Sequence, residues 1–346
     1  MKWWQRLKKN SLARLGAIVL LCFYAIVIGA DFFAPYDPYT PQIDGSLLPP
    51  TKIFWRNFQP HVYPTTLGPT NLETGDRELT RDYTQPSPIR LFVKGRSYNF
   101  LGLTLDRHLF GTVGSGYLNL LGTDEQGRDQ LSRLIYGGRI SLFVGIVGIT
   151  ISFPLGMLIG GISGYFGGVV DAILMRLAEV LMTIPGIYLL VTLAAVLPPD
   201  LTSTQRFLLI VLITSLISWA GLARVTRGQV LTIKEQEFVQ AARSMGARPL
   251  YLIIRHILPQ TASYMIISAT LAIPGFIIAE SVLSLIGLGI QQPDPSWGNL
   301  LSLGTNASIL VLHPWLIWPP ALVIILTVLA FNLLGDGLRD ALDPRD

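Results

Sequence analysis

Thr232-Ile-Lys-Glu235-Gln-Glu237-Phe238-Val239-Gln240-Ala241-Ala242-Arg243-Ser244-Met245-Gly246-Ala247-Arg248-Pro249-Leu250-Tyr251-Leu252-Ile253-Ile254-Arg255-His256-Ile257-Leu258-Pro259 is the most patterned polar segment of this chain. Its punctuation predicts two short helices. Thr232 with Glu235 has capping-box spacing, Gly246 suits the left-handed residue after a helix end, and Pro249 suits the first position of the next helix. Ala241 and Ala242 leave a shallow face beside Phe238 and Met245, the shape of a helix that inserts into another protein's groove. Apolar runs at 207–225 and 261–282 flank the segment, so it reads as a loop between two membrane spans, with Pro259 opening the second.

Working outward, half of the 346 residues are apolar and 14% are charged, too few charges for an ordinary soluble domain. A spanning helix needs roughly 20 predominantly apolar residues. Six stretches meet that length, at 12–33, 140–163, 177–197, 207–225, 261–282 and 315–335. The fold expected is an all-α membrane protein. The basic start from Lys2 to Lys9 precedes an apolar run longer than a signal core of about 7 to 15 residues, so the run reads as a span. With the N-terminus inside, the cytoplasmic segments collect Lys2, Arg6, Lys8, Lys9, Arg14, Arg176, Arg224, Arg227, Lys234, Arg243, Arg248, Arg255, Arg339 and Arg345. Both termini are then cytoplasmic. The net charge of +4 follows this topology and forms no stripe suited to nucleic acid.

The chain divides into a cytoplasmic start with the first span (1–34), an external loop (35–139), and a five-span core (140–346) holding the cytoplasmic loop 232–259. The external loop is rich in proline. Residues 89–93 and 96–100 alternate around Lys94-Gly95, which predicts a small β-hairpin turning there. Gly156, Gly160 and Gly164 recur every four residues and predict a seam where another helix approaches closely. Pro185 and the Pro274-Gly275 pair are candidate kinks. The lone Cys22 excludes an internal disulfide, and the four histidines lack metal-ligand spacing. No Gly-Lys pair occurs, so the chain has no phosphate loop of the Gly-Lys-Ser/Thr type.

Gln240-Ala241-Ala242, three residues, Gly246, nine residues and then His256-Ile257-Leu258-Pro259 resembles the EAA loop of bacterial ABC-importer permeases. That family usually carries glutamate where this chain has Gln240, which removes one charge. Leu121 to Asp129, Ser132 to Leu142, Gly287 to Gln291 with Pro295 to Asn299, and Phe331 to Pro344 resemble the second permease subunit of dipeptide, oligopeptide and nickel importers.

The resemblance implies the type I ABC-importer permease fold, with six spans in the bacterial inner membrane and alternating access driven by separate chains. It implies a second, homologous permease as partner in a heterodimer, two ATPase subunits that carry ATP and Mg, and an external solute-binding protein. The chain itself is then non-catalytic and binds no cofactor or metal. Phe238, Gln240, Ala241, Ala242, Met245, Gly246, Ala247, Pro249, Arg255, His256, Leu258 and Pro259 are the residues expected to couple to the ATPase. Asp124, Arg128 and Asp129 precede the second span, where the resemblance puts an outer gate; a capped helix start is their plainer reading. Glu280 lies in the outer part of the fifth span, where a carboxylate needs a partner or water. Arg176 and Glu179, three apart, read as an architectural pair. Peptides are the expected cargo, with nickel or another small solute as the alternative. A proton-coupled carrier would also suit six spans and Glu280, but the EAA-like loop argues against it. A membrane enzyme lacks convergent catalytic groups in this sequence.

Overall fold

The structure, a computed structural model, describes residues 2–56, 58–70, 77–100, 102–198 and 200–342. Asp343, Pro344 and Arg345 lie outside the described residues. Helices α1 (Lys2–Lys9), α2 (Ser11–Ile28) and α3 (Ala30–Phe33) lead into strands β1 (Phe54–Arg56), β2 (Gln59–Val62), β3 (Thr65–Thr70), β4 (Arg77–Arg81), β5 (Ser87–Phe100) and β6 (Leu103–Thr112). Then come α4 (Gln130–Phe166), α5 (Gly168–Thr183), α6 (Gly186–Val196), α7 (Ser203–Ile233), α8 (Glu237–Ser244) and α9 (Pro249–Tyr251). The remaining helices are α10 (Ala262–Leu285), α11 (Trp297–Leu301), α12 (Ala307–Leu312) and α13 (Trp318–Leu342).

Among the described residues, five helical stretches are long and apolar enough to cross a membrane, and the bent pair α5 and α6 makes a sixth if it is one span. The pair bends by 82° at Pro185. The physical cause is local: proline lacks an N–H and pushes Ile184 into the extended region, φ −79° and ψ 121°. Pro274, by contrast, lies inside α10, which continues through it. Helix α4 begins at Gln130, ten residues before the apolar stretch that announces it. Its first turns carry Ser132, Arg133, Tyr136 and Arg139, whose polarity is matched by partners within the protein.

The chain forms two compact units. One comprises Met1–Leu20, Phe143–Leu283 and Leu326–Asp346. In it the predicted glycine seam packs on α7. A Cβ on Gly156 would meet Leu222, one on Gly160 would lie 2.7 Å from the Cβ of Thr226, and one on Gly164 would lie 2.9 Å from that of Val230. Backbones approach here because side chains are missing. Asp171 and Arg227 tie α5 to α7 with two hydrogen bonds of 2.5 Å, and the Ser163 hydroxyl donates to the same carboxylate. Ala178, Trp219, Ala220 and Ala223 form a buried cluster beside that tie.

The other unit comprises Leu21–Leu142 and Ser284–Ile325. Val27, Leu134, Leu142, Trp297 and Leu300 are its buried core. The Trp297 indole donates to the Leu134 carbonyl at 2.9 Å, so the ring's polar edge is satisfied inside that core. Asp31 of α3 accepts from Tyr136 and Arg139 of α4, both at 2.6 Å. The strands form an antiparallel sheet in the order β1-β2-β5-β6 and a separate β3-β4 pair.

The predicted hairpin turn at Lys94-Gly95 is corrected by this sheet. Both predicted strands belong to the single strand β5; Lys94 pairs with Arg107, and the register shifts between Lys94 and Tyr98. The chain reverses near Gly102, whose φ of 88° suits a turn. Gly95 serves the opposite face: a Cβ there would lie 2.5 Å from the His108 ring. The ring is held between the carbonyls of Ala34 and Arg96, at 2.9 and 3.1 Å.

Candidate functional site

The loop 232–259 is built on the end of α7, which runs to Ile233 and so absorbs Thr232. The predicted Thr232–Glu235 capping box is therefore absent: α8 starts at Glu237 after an extended Gln236 without a side-chain cap. A capping box does form at the other end of α7, between Thr202 and Gln205. Lys234 leaves α7 and donates to the carbonyls of Gly164, at 2.9 Å, and Tyr165, at 3.4 Å. It thereby caps the last turn of α4, where carbonyls lack partners and the helix dipole is negative.

The end of α8 follows the sequence. Gly246 has φ 84°, its N–H donates to the Arg243 carbonyl, and the Ala247 N–H donates to the Ala242 carbonyl. These two bonds make a Schellman motif, which needs a left-handed residue at the glycine. Pro249 occupies the first turn of α9 after an extended Arg248. A π turn at Leu252–Ile257 and a 3-10 turn at Leu258–Thr261, which contains Pro259, then lead into α10.

Amphipathicity sorts the site residues into two sets. Val239 and Ala242 are buried, at 1% and 5% exposure. Val239 packs with Val230, Ile253, Ile257 and Leu258, flanked by Met157, Ile162, Tyr165 and Ile233. Burying one such side chain is worth about 1.5–3 kcal/mol. Phe238, Ala241 and Met245 follow at helical spacing on the exposed side, Met245 at 82% exposure. The expected shallow face thus contains Ala241 but not Ala242, which the fold turns inward. Gln240 donates to the Lys234 carbonyl at 3.0 Å and lies 3.5 Å from the Glu235 carboxylate. A glutamate in its place could not donate there. Arg255 and Pro259 are exposed, Ala247 is half-buried, and the half-buried His256 stacks edge-on against Tyr251.

Asp124, Arg128 and Asp129 come together in a buried network of the other unit. Asp124 accepts from the Gln126 and Arg128 amides and, through Oδ2, from the Arg128 guanidinium, with Nε at 2.8 Å and Nη2 at 2.6 Å. Gly127, with φ 78°, closes that turn. Arg133 is fully buried; its Nε is 3.4 Å from Asp124, an ion-pair contact rather than a hydrogen bond. The Gln292 side-chain oxygen accepts from both Arg128 and Arg133, at 2.7 and 2.8 Å. Arg133 also donates to the carbonyls of Pro38 and Pro293. Asp129 caps α4 through the Ser132 amide and hydroxyl, at 2.7 and 2.6 Å. Burial pushes its carboxyl up to about 7, against the lowering effect of those bonds. Glu280 is buried, at 5% exposure, within α10.

Sequence reasoning missed Arg133 and Gln292 as members of this network, and Lys234 as a cap. Arg133 carried a signal, being a cation shortly before the apolar stretch at 140–163. Gln292 carried none, because its partners lie about 160 positions away in the chain.

Residues 153–345 match the family model described as binding-protein-dependent transport system inner membrane component, and residues 2–50 match the N-terminal TM domain of oligopeptide transport permease C. The dipeptide transport system permease protein DppC of Bacillus subtilis is 34% identical over 99% of this chain and 84% of its own length. The oligopeptide transport system permease protein OppC of the same organism is 40% identical over 98% and 88%. OppC of Escherichia coli is 43% identical over 65% of this chain and 72% of its own length. Among solved structures, the inward-facing MetNI methionine ABC transporter aligns over 59% of this chain and 91% of that chain, with 18% identity and a TM-score of 0.43. With five or six apolar spans and matches over nearly its whole length, the chain belongs to the inner-membrane permease components of binding-protein-dependent ABC importers.

Proposed function

We propose that this chain moves dipeptides or oligopeptides across the inner membrane as one of two homologous permease subunits. Two ATPase subunits on the cytoplasmic side carry ATP and Mg, and an external solute-binding protein delivers the peptide. Both termini are cytoplasmic, and this chain holds no cofactor and performs no hydrolysis. Support for the cargo comes from the relatives, whose names specify dipeptide or oligopeptide transport.

One observation carries the coupling role: α8 presents Phe238, Ala241 and Met245 outward while Val239 and Ala242 anchor its other side. In this reading an ATPase groove receives the outward side. Closure of the ATPase pair pushes α8, and the packing of Val239 on Val230, Ile253 and Ile257 passes the movement to α7 and to the turns that lead into α10. The remaining loop residues, from Gly246 to Pro259, hold that geometry. Asp124, Arg128 and Asp129 act as a fixed frame at the outer gate, and Glu280 is the gate residue of α10.

The test is uptake of trialanine into liposomes holding the complete complex, with the binding protein outside and ATP supplied to the ATPase side. ATP-dependent accumulation supports the reading. Accumulation driven by a proton gradient without the ATPase subunits overturns the coupling, and transport of nickel but not trialanine overturns the cargo.

A further inference from the structure

We propose that the tip of the β1–β2 hairpin, carrying Trp55, Arg56 and Phe58, is a prong that docks into the external solute-binding protein, in an apolar groove with carboxylates on its rim. This deepens the proposed function and rests on it for the presence of that protein and for the external placement of the hairpin.

The tip runs against what stabilises a hairpin. Arg56 pairs with Gln59 across the tight end, and Phe58 in that end has φ 57°. Glycine or asparagine holds such a position without strain, whereas a bulky aromatic there is an outlier. Two other non-glycine residues with left-handed φ, Leu47 and Phe92, are held by contacts within the chain. The Leu47 amide donates to the Asp124 carbonyl at 2.9 Å. The Phe92 carbonyl accepts from Arg107 at 3.0 Å, and its ring lies 6.2 Å from that of Phe32. Phe58, by contrast, is 100% exposed. A strained aromatic that buries nothing adds no stability to the fold, and such breaches of local preference mark functional positions.

The hairpin has a packed face and an open one. Phe54 lies edge-on to Tyr63 at 5.2 Å and to Tyr83 at 6.1 Å, with the Lys52 ammonium over its ring. Strand alternation turns Trp55 to the opposite face, where it is 73% exposed. Strand β1 is also an edge strand of its sheet. The prong is thus anchored at its foot and open at its end. Tryptophan and arginine dominate the energetics of protein interfaces, and phenylalanine is enriched there. From Gly45 to Leu72 the sequence carries Lys52 and Arg56 and no acid, which fits carboxylates around the receiving groove. So small a contact suits a partner that arrives and leaves in each transport cycle.

The test titrates the fluorescently labelled binding protein against the complete complex in lipid nanodiscs. Phe58→Gly removes the ring and relieves the left-handed strain, so a purely structural role for Phe58 predicts unchanged affinity. The prong predicts a Kd raised about tenfold, with ATP hydrolysis in the absence of the binding protein unchanged. Arg56→Gln should weaken binding and flatten its dependence on salt. A Kd unmoved by both Phe58→Gly and Trp55→Thr overturns the prong. A benzophenone amino acid incorporated at position 58 identifies the occupant. The expected photo-adduct is with the binding protein; an adduct with the partner permease or with phospholipid, or no adduct, overturns the assignment. If the unsubstituted complex binds no binding protein and takes up trialanine without it, the delivery reading fails and the prong with it. Normal binding by the unsubstituted complex that the variants leave intact overturns the prong alone.

Discussion

The ammonium of Lys234 donates to the backbone carbonyl of Gly164 at 2.9 Å, joining the residue that leaves α7 to the last turn of α4. The bond sits at the root of the loop that carries α8, and it satisfies a helix end that has no intrahelical partner.

Lys234→Met keeps the apolar stem and removes the donor. The expected cost is about 0.5–1 kcal/mol, as for other cations at helix C-termini. In the complete complex this variant should hydrolyse more ATP per trialanine transported than the unsubstituted one, measured by parallel phosphate release and uptake. An unchanged ratio would show that the cap does not stiffen the coupling path.

Gly160 tests the helix seam. Its missing side chain lets α4 lie on Ala223 and Thr226, so Gly160→Leu should destabilise by about 3 kcal/mol or more through overpacking. Gly228, on α7, has open space where a Cβ would stand, and Gly228→Ala should be neutral or stabilising by up to about 1 kcal/mol. Thermal unfolding of the detergent-purified chain distinguishes the two; equal shifts would remove the seam argument.

At Gly246 the constraint is in the backbone, since nothing lies within 4 Å of an added Cβ and φ is 84°. Gly246→Ala should cost about 1–2 kcal/mol, the penalty of a left-handed L-residue. Gly246→Pro should be worse, because proline cannot reach that φ and loses the bond to the Arg243 carbonyl. The expected outcome for the proline variant is a chain still inserted in the membrane that retains less ATPase on affinity purification and transports less. Full ATPase retention together with normal uptake would count against the coupling role.

Asp129 sets a pH dependence. Its folded carboxyl titrates near 7 because burial disfavours the charge, against an ordinary value of 3.8. The folded state therefore holds the proton more tightly than the unfolded state. Its stabilising contribution is complete below pH of about 4, declines as pH rises towards about 7, and is gone above that. Asp129→Asn keeps an oxygen for the Ser132 amide and removes the titration. Between pH of about 4.5 and 8 the unsubstituted protein should lose thermal stability relative to this variant. Parallel profiles would refute the assignment.

The sequence alone determined the spans, the loop between two of them and the way that loop ends. Each rests on short-range physics: an apolar run of sufficient length, a left-handed glycine after a helix, and a proline at the next helix start. The start of α8 was not legible in the same way, because α7 continued through Thr232 once its apolar side had packed. Nor was the choice between Ala241 and Ala242. Adjacent alanines have the same chemistry, and only the contacts of Val230, Ile253 and Ile257 with Val239 decide which of them turns inward. The hairpin misreading has the same origin, since Lys94-Gly95 serves a turn or a straight strand equally well until His108 takes the space beside the glycine. Arg133 and Gln292 meet across about 160 residues of chain. Local sequence determined which elements this permease has; the tertiary structure decided which polar groups they bury together, because buried charges persist only where distant partners satisfy them.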